Sequence, residues 1–182
     1  MSLESLVDNT RTDKNTAHSY LPVYEKLFAS KQQTAKHILE IGIALGGSIK
    51  LWRDYFPKAL IHAVDIYDKS QLPSDLSKLP DVICYTNANA YSQEFLQMMY
   101  VPLDIVIDDG PHTLQSQIDC IHHYLPKLAS NGILVIEDVH DWNDIQQLKN
   151  SIPPYIRHTV EVHDLRGNKG RHDDILFIVH KK

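Results

Sequence analysis

The feature that most constrains the fold of this chain is a regular alternation of short apolar runs with longer amphipathic segments. Five apolar runs have the length of buried strands: residues 37–42, 60–66, 81–86, 103–109 and 132–138. Strands that alternate with helices predict a mostly parallel sheet covered by helices on both faces. Two further strands, at about 155–163 and 174–180, are joined by a loop too short for a crossover helix, so we expect them to run antiparallel.

The segments between the strands have the apolar spacing of helices. They predict helices at residues 17–29, 46–56, 91–100, 112–128 and 141–150, with a polar helix or loop at 69–80. The length of 182 residues suits one domain. We therefore expect a single α/β domain over residues 1–182, in which 1–36 form an amino-terminal segment and helix and 37–182 form the core.

Composition excludes several function classes. The chain carries 18 basic and 23 acidic residues, a net charge of −5, and this balance argues against a nucleic-acid partner. The longest apolar stretches are strand-sized, so we expect no membrane span. The first 13 residues contain acids and no apolar core, unlike a signal peptide. With two cysteines in apolar surroundings, we expect a cytoplasmic protein, and homo-oligomerisation stays open.

A glycine-rich turn follows the first apolar run. The chain reads Glu40-Ile41-Gly42-Ile43-Ala44-Leu45-Gly46-Gly47-Ser48. Glycines between a strand and a helix let a ligand approach the backbone and leave helix amides free to donate hydrogen bonds. The spacing differs from the Gly-x-Gly-x-x-Gly pattern of dinucleotide sites, so NAD is disfavoured. Asp65 ends the second strand, where a carboxylate can bind ribose hydroxyls. The alternative is an ordinary tight turn with a surface aspartate.

Acidic residues close the fourth and fifth strands. The fourth ends in Asp108-Asp109-Gly110-Pro111-His112, and the fifth ends in Glu137-Asp138-Val139-His140. Neighbouring parallel strands bring their carboxyl ends to the same edge of the sheet, where ligands bind in such folds. Carboxylates gathered there repel one another unless they are protonated or bridged by a cation, and Mg²⁺ suits oxygen ligands best. The alternative is that these acids only cap the following helices.

The glycine-rich turn and Asp65 resemble the corresponding features of class I S-adenosylmethionine-dependent methyltransferases. The resemblance implies a Rossmann-like fold: a seven-stranded, mostly parallel sheet with an antiparallel last strand and helices on both faces. In that family the turn passes under the methionine part of the cofactor. The resemblance places these residues at the cofactor, with Asp65 on its ribose: Glu40, Gly42, Gly46, Gly47, Ser48, Asp65 and Asp108. Asn89 stands where the family often has Gly-Asp near the adenine, and its carbonyl oxygen can accept a hydrogen bond from an exocyclic amine.

The acidic cluster resembles that of metal-dependent sugar O-methyltransferases from macrolide-antibiotic pathways. Those enzymes have Asp-Asp-Gly-x-His after the fourth strand and Glu-Asp after the fifth. The resemblance implies that Asp109, Glu137 and Asp138 bind Mg²⁺ or another divalent cation and that His112 is the general base. It extends from the Thr12-Asp13-Lys14 segment to Asp174, and it suggests that Lys14 and His18 close over the cofactor.

Together these features predict an S-adenosylmethionine-dependent and Mg²⁺-dependent O-methyltransferase that acts on a hydroxyl of a sugar or glycan. Two alternatives remain: methylation of a catechol or another small diol, and a cofactor-binding subunit without catalysis. We expect His112 to begin a helix, whose dipole would favour the neutral imidazole that a base needs. The basic loop at 164–171 is interpreted as a solvated hairpin tip rather than a site that binds phosphate or carboxylate.

Overall fold

The computed structural model describes residues 1–182. Seven strands form one sheet: β1 His37–Ile41, β2 Leu60–Val64, β3 Val82–Tyr85, β4 Leu103–Asp108, β5 Leu128–Ile136, β6 His158–Asp164 and β7 Ile175–Lys181. Seven helices accompany them: α1 Leu3–Leu6, α2 Leu21–Phe28, α3 Gly47–Tyr55, α4 Gln93–Met98, α5 Leu114–Tyr124, α6 Asp144–Ser151 and α7 Arg166–Lys169.

The sheet has the strand order β3-β2-β1-β4-β5-β7-β6. The first five strands pair in parallel, whereas β7 runs antiparallel to both β5 and β6. The mostly parallel sheet and the antiparallel last strand are thereby confirmed. The chain reverses its direction of travel across the sheet between β1 and β4, which is where α/β sheets open a crevice for ligands.

Two apolar clusters of 24 buried residues each lie on opposite faces of the sheet. Side chains alternate along β4, so Ile105 and Ile107 join one cluster while Val106 joins the other. Helices α2 and α3 cover the first face, and α4, α5 and α6 cover the second. The prediction of helices on both faces is confirmed.

Several boundaries differ from the sequence-based expectation for local reasons. Helix α2 begins at Leu21 rather than at residue 17, because the carbonyl oxygen of Asp13 accepts the backbone amides of Thr16 and His18 in a preceding turn. Helix α5 begins at Leu114, because the Thr113 hydroxyl accepts the amide of Ser116 at 3.1 Å and caps the helix.

Polar stretches contain short helical turns that apolar periodicity could not reveal. Residues 69–80 hold two 3₁₀ turns, Lys69–Gln71 and Leu76–Lys78, and the loop between β6 and β7 holds the one-turn helix α7. None of the helices has both the length and the apolar character that crossing a membrane requires.

Candidate active site

The carboxyl ends of β1, β4 and β5 meet closely at one edge of the sheet. The backbone amide of Asp109 donates to the carbonyl oxygen of Ile41 at 3.0 Å, and that of Glu137 donates to Asp108 at 3.0 Å. Gly42 has φ +96°, and a Cβ there would lie 2.1 Å from the carbonyl oxygen of Asp109. Position 42 therefore accepts only glycine, and the turn holds Asp109 against the end of β1.

A cavity of about 540 Å³ opens beside this turn. Most of its lining is apolar, and its polar groups are few, as is usual for small-molecule sites. Four residues expected at a ligand line it, namely Gly42, Asp65, Asn89 and Asp109. The Asp65 carboxylate is held at the wall, because it accepts the amides of Ile43 at 2.8 Å and Tyr67 at 3.0 Å.

Asn89 lies in this cavity, as expected, and its side chain also contacts the backbone of the chain. Its Oδ1 accepts the backbone amide of Tyr91 at 2.9 Å. The chain thus uses one of the two lone pairs of this oxygen, and the second lone pair and the amide nitrogen remain for a ligand. The backbone turn after β3 fixes this orientation.

Five other residues expected at the cofactor lie outside the large cavity: Glu40, Gly46, Gly47, Ser48 and Asp108. A Cβ on Gly46 would meet the side chain of Leu76 at 2.5 Å, and one on Gly47 would meet the backbone of Arg11 at 2.5 Å. These two glycines admit neighbouring chain segments. They need no ligand to explain them.

Two of the other three residues have partners within the chain, and the third lines another cavity. Glu40 is buried and accepts the indole N–H of Trp52 at 2.9 Å, and Asp108 is buried and accepts the hydroxyl of Tyr91 at 2.7 Å. Ser48 lines a smaller cavity of about 340 Å³ between the glycine-rich turn and residues 9–16. Asp109 and Ala44 line both cavities.

Lys14 occupies the middle of the acidic cluster. Its Nζ lies 2.7 Å from Asp109 Oδ2, 2.6 Å from Glu137 Oε2 and 3.4 Å from Glu40 Oε1, and its side chain is 1% exposed. Burial opposes the charge, but the three carboxylates together raise the pKa of Lys14 well above its ordinary value. The residue is a buried ammonium, paired on three sides.

The amino-terminal segment also supplies hydroxyl and imidazole groups to this edge. The hydroxyl of Tyr20 donates to Asp138 Oδ1, and that of Tyr24 donates to Glu137 Oε1. His18 Nδ1 lies 3.4 Å from Asp138 Oδ1 and 3.3 Å from Asp174 Oδ1. Both tyrosines lie in the segment 17–29 that apolar spacing predicted to be a helix, and nothing in that pattern indicated their polar contacts.

Burial and partners move the pKa values of the acids in different directions. Burial acts to raise the pKa of Asp109, but the ammonium of Lys14 lowers it to about 2. Burial raises the pKa of Glu40 to about 7 and that of Asp108 to about 6. Asp109 is therefore the acid of this group whose charge is most strongly held.

His112 faces the same acids from the opposite side. Its Nε2 lies 3.1 Å from Asp109 Oδ1 and 3.6 Å from Asp138 Oδ2. It has φ +55° and precedes α5, so it is not the first residue of the helix. Burial lowers the pKa of His112, but Asp109 and Asp138 outweigh burial and raise it above the ordinary value. The expectation of a ring kept neutral by the helix dipole is corrected: the neighbouring carboxylates dominate.

The side chains of the three predicted metal ligands, Asp109, Glu137 and Asp138, do not all converge on one position. Oxygens of Asp109 and Asp138 and a ring nitrogen of His112 lie within 4.8 Å of one another. Two carboxylates, with water or hydroxyls completing the shell, suit Mg²⁺, so this group fits a divalent cation. Glu137 groups instead with Glu40 and Asp109, and its oxygens contact Lys14 and Tyr24.

The basic loop before β7 carries mostly paired charge. Arg166 forms two hydrogen bonds with Asp164, and Arg171 forms two with Asp173. Lys169 Nζ contacts backbone oxygens of the amino-terminal segment, at Asn15, Thr16 and His18. The loop therefore anchors that segment, which the interpretation as a solvated tip did not anticipate.

Further imidazole rings extend from His112 along the sheet edge. The ring centroids of His112 and His140 are 6.3 Å apart, and those of His140 and His172 are 5.5 Å apart. His140 and His172 are both exposed. They form an open face next to His112 on which a further molecule can rest.

Comparisons with known proteins find one family model, described as a methyltransferase domain, that matches residues 39–139. The 8-demethyl-8-alpha-L-rhamnosyl tetracenomycin-C 2'-O-methyltransferase of Streptomyces olivaceus is 33% identical over 137 residues, which are 70% of this chain and 35% of that protein. The demethylmacrocin O-methyltransferase of Streptomyces fradiae is 32% identical over 145 residues, 75% of this chain and 36% of that protein. The chain thus spans about a third of the length of these curated relatives.

A solved structure of similar fold is the MycE methyltransferase from the mycinamycin biosynthetic pathway in complex with Mg and SAH. It has a TM-score of 0.75 and 24% sequence identity, and the match covers 100% of this chain and 54% of that one. At this identity the likeness shows the fold.

Proposed function

The chain belongs to the methyltransferase-domain family that its sequence matches, and on that premise we propose that it is an S-adenosylmethionine-dependent, Mg²⁺-dependent O-methyltransferase acting on a hydroxyl of a sugar or glycan. The resemblance to class I methyltransferases is confirmed in family and fold. The activity, its cofactors and its acceptor are the proposal.

The observation that carries the proposal is the position of Asp109. This residue lines the large cavity, and its Oδ1 lies 3.1 Å from His112 Nε2. A cofactor in the cavity and an acceptor beside His112 would meet across Asp109. Group transfer needs the two reactants to be held close together. Because Asp109 borders both positions, this arrangement supports a catalytic role rather than cofactor binding alone.

The cavity fits the nucleoside part of S-adenosylmethionine. Its apolar walls include Val64 and Ile66, which suit an adenine ring, and the fixed carboxylate of Asp65 suits ribose hydroxyls. When bound, the cofactor supplies an electrophilic methyl group on its sulfonium. The chain's part is to bind the nucleoside and to exclude water from the cavity.

Asp109 and Asp138 would hold the divalent cation, with Glu137 beside them. When bound, the cation lowers the pKa of an acceptor hydroxyl and orients it. His112 faces both carboxylates and would accept the hydroxyl proton at Nε2. Tyr20 orients Asp138 through its hydroxyl, which keeps that carboxylate turned towards the cation position.

Two observations support a sugar as the acceptor: the names of the relatives and the open face beside His112. The relatives are named for methylation of a rhamnosyl tetracenomycin and of demethylmacrocin. His140 and His172 extend the edge beyond the base, and Trp142, two residues after His140 in the sequence, is 47% exposed. An exposed indole offers the flat apolar surface against which a sugar ring can pack.

A methyl-transfer assay tests the proposal. The protein is incubated with methyl-labelled S-adenosylmethionine and a panel of glycosides, nucleotide sugars and catechols, each with Mg²⁺ or with EDTA. We expect transfer to a glycoside that EDTA abolishes and Mg²⁺ restores, and we expect Asp138→Asn to lose it. Full transfer in EDTA contradicts the metal requirement, and transfer to catechols alone contradicts the sugar acceptor.

A further inference from the structure

Two exposed imidazole rings and one buried carboxylate converge at the sheet edge, outside the acidic cluster. Donor atoms of His140, His172 and Asp173 all lie within 4.8 Å of one another. The pairing of β5 with β7 brings these residues together, because the backbone amide of Val139 donates to the carbonyl oxygen of Ile175 at 3.2 Å. The proposed function gives the two rings a place on the open face and gives the Asp173 carboxylate no role.

The ring nitrogens of both histidines are available to a ligand. Neither ring donates or accepts a hydrogen bond within the chain, and the closest acid to His172 Nδ1 is Asp173 Oδ1, at 4.0 Å. The side chain of His172 is 78% exposed. A neutral imidazole has one nitrogen lone pair, so each ring can turn that lone pair towards a metal ion.

Asp173 supplies a fixed and ionised carboxylate. Arg171 donates its Nε to Oδ1 at 3.0 Å and its Nη2 to Oδ2 at 2.7 Å. Burial acts to raise the pKa of Asp173, but the hydrogen bonds from Arg171 lower it to about 2. Carboxylates that bind metals are usually oriented by hydrogen bonds of this kind, and each oxygen keeps a further lone pair for an ion.

The guanidinium of Arg171 does not make this place unfavourable for a cation. Its hydrogen bonds with Asp173 raise its pKa, and the charges of Asp138 and Asp13 act in the same direction. Three carboxylates therefore face one guanidinium, and the net charge beside the two rings is negative. A negative local field attracts cations.

The types of donor favour a transition ion over Mg²⁺. Catalytic zinc sites are formed by three protein ligands, including two histidines and one carboxylate, with a fourth position open, whereas Mg²⁺ prefers oxygen ligands alone. Zinc bonds of about 2.0–2.2 Å place tetrahedral ligand atoms about 3.5 Å apart. Rotation of the two exposed rings can bring the donor atoms of His140 and His172 to that spacing from the present one.

We propose that His140, His172 and Asp173 form a second metal site, which binds Zn²⁺ or a similar transition ion. The ion lies on the open face beside His112, and none of its three ligands lines the large cavity. It therefore hinders an acceptor from reaching His112 and leaves the cofactor cavity free. The site itself stands on the geometry of the three donors, whereas this effect on methyl transfer rests on the proposed function.

Calorimetric titration with Zn²⁺, on the full chain at saturating Mg²⁺, tests the site. Losing one of three ligands should cost more than the 10–100-fold that residues behind the ligands typically contribute, so we expect His172→Ala to weaken Zn²⁺ binding by more than about 100-fold. The exposed position of His172 makes the substitution harmless to the fold. His122→Ala removes another exposed histidine, on α5, and should bind Zn²⁺ as the wild type does.

His112→Ala distinguishes this site from the acidic cluster, where His112 groups with Asp109 and Asp138. We expect His112→Ala to retain the Zn²⁺ affinity that His172→Ala loses. The opposite result, binding that depends on His112 and not on His172, places the ion at the acidic cluster and overturns the inference. A wild type that binds no more Zn²⁺ than His172→Ala overturns it as well.

Methyl-transfer kinetics provides the second readout. We expect Zn²⁺ to raise the KM for the acceptor and to leave the affinity for S-adenosylhomocysteine unchanged, and we expect His172→Ala to resist this inhibition relative to its own rate without Zn²⁺. Equal inhibition of the wild type and His172→Ala contradicts the proposed effect on the acceptor. If Zn²⁺ binds through His172 but no acceptor is methylated, the proposed function fails and the metal site stands.

Discussion

At the scale of single residues, the site depends on where His112 directs its ring. Positive φ at this position turns the side chain back over the acids, with Nε2 between Asp109 and Asp138. His140 is the neighbouring imidazole, with its ring centroid 6.3 Å away. Of these two neighbouring imidazoles only His112 contacts the acids, so a substitution of His140 is a suitable control for a substitution of His112.

We expect His112→Ala to lower the single-turnover rate of methyl transfer by about 10²–10⁴-fold, the usual contribution of a general base. Cofactor affinity should change little, because His112 does not line the large cavity. Rapid-quench kinetics at saturating Mg²⁺ measures the rate, and calorimetry measures the affinity. His140→Ala is the control and should retain most of the rate. Near-normal transfer by His112→Ala would place the base elsewhere.

Gly46 is a residue of the glycine-rich turn whose side-chain position is closely approached by Leu76. It has φ +70°, and an added Cβ would meet Leu76 at 2.5 Å. We expect Gly46→Ala to destabilise the fold by about 1–3 kcal/mol through strain and overlap. Chemical denaturation of Gly46→Ala and of Gly46→Ala with Leu76→Ala separates the causes, since the second substitution removes the overlap. If Gly46→Ala loses cofactor affinity at unchanged stability, the glycine contacts the cofactor instead.

At the scale of elements, the segment from Asp8 to Tyr20 behaves as a strap across the sheet edge. It has no regular secondary structure of its own, and its carbonyl groups are satisfied in part by Lys169 from α7. Lys14, His18 and Tyr20 all enter the site from this strap. The strap is therefore part of the site, although it makes no strand or helix.

We expect Lys169→Met to lower the free energy of unfolding by about 1–2 kcal/mol, because it leaves three carbonyl oxygens without their charged donor. The strap should also become more sensitive to proteolysis between residues 10 and 18. Lys58→Met, at another exposed lysine, is the control and should change neither property. Equal protease sensitivity in the two variants would show that Lys169 does not hold the strap.

The elements that the sequence predicted well are those whose partners lie nearby or whose periodicity is strong. The strands around Ile38 and Ile107 are buried on both sides, so an apolar run is enough to identify them. The contacts of Lys14, Tyr20 and Tyr24 could not be predicted in this way, because their partners are 123, 118 and 113 residues further along the chain. Contacts between residues so far apart in the sequence depend on the assembled fold, so no local sequence pattern indicates them.

At the scale of the whole molecule, the half of the sheet formed by β1, β2 and β3 carries a partly buried chain of polar side chains. His37 Nδ1 lies 3.2 Å from His62 Nε2, and His62 Nδ1 lies 3.2 Å from the hydroxyl of Tyr85. Burial lowers the pKa of His62 from 6.5 to about 4, with a smaller contribution from His37. Between pH 6.5 and about 4 the ring of His62 therefore stays neutral in the folded protein, whereas the unfolded chain binds a proton on it.

This difference predicts a pH dependence of stability. Above pH 6.5 the ring is neutral in both states, and the contribution is fully present. As the pH falls from 6.5 towards 4 the unfolded chain binds a proton that the folded chain does not, so the free energy of unfolding should fall by about 2 kcal/mol. Urea denaturation at several pH values measures this fall. His62→Gln should flatten the curve over that range, and an unchanged slope would assign the effect to other groups.

The contact between His18 and Asp174 joins residues 156 positions apart, and this distance sets an order on biosynthesis. The strap is synthesised well before two of its anchors, Lys169 in α7 and Asp174. At about 5–20 residues per second, the interval between the strap and these anchors is roughly 8–30 s. During that time the nascent chain can build β1 to β5 while the strap lacks its anchors at Lys169 and Asp174. The site is completed only after β6 and β7 are translated, so a ribosome stalled before them would carry strands β1 to β5 without a closed site.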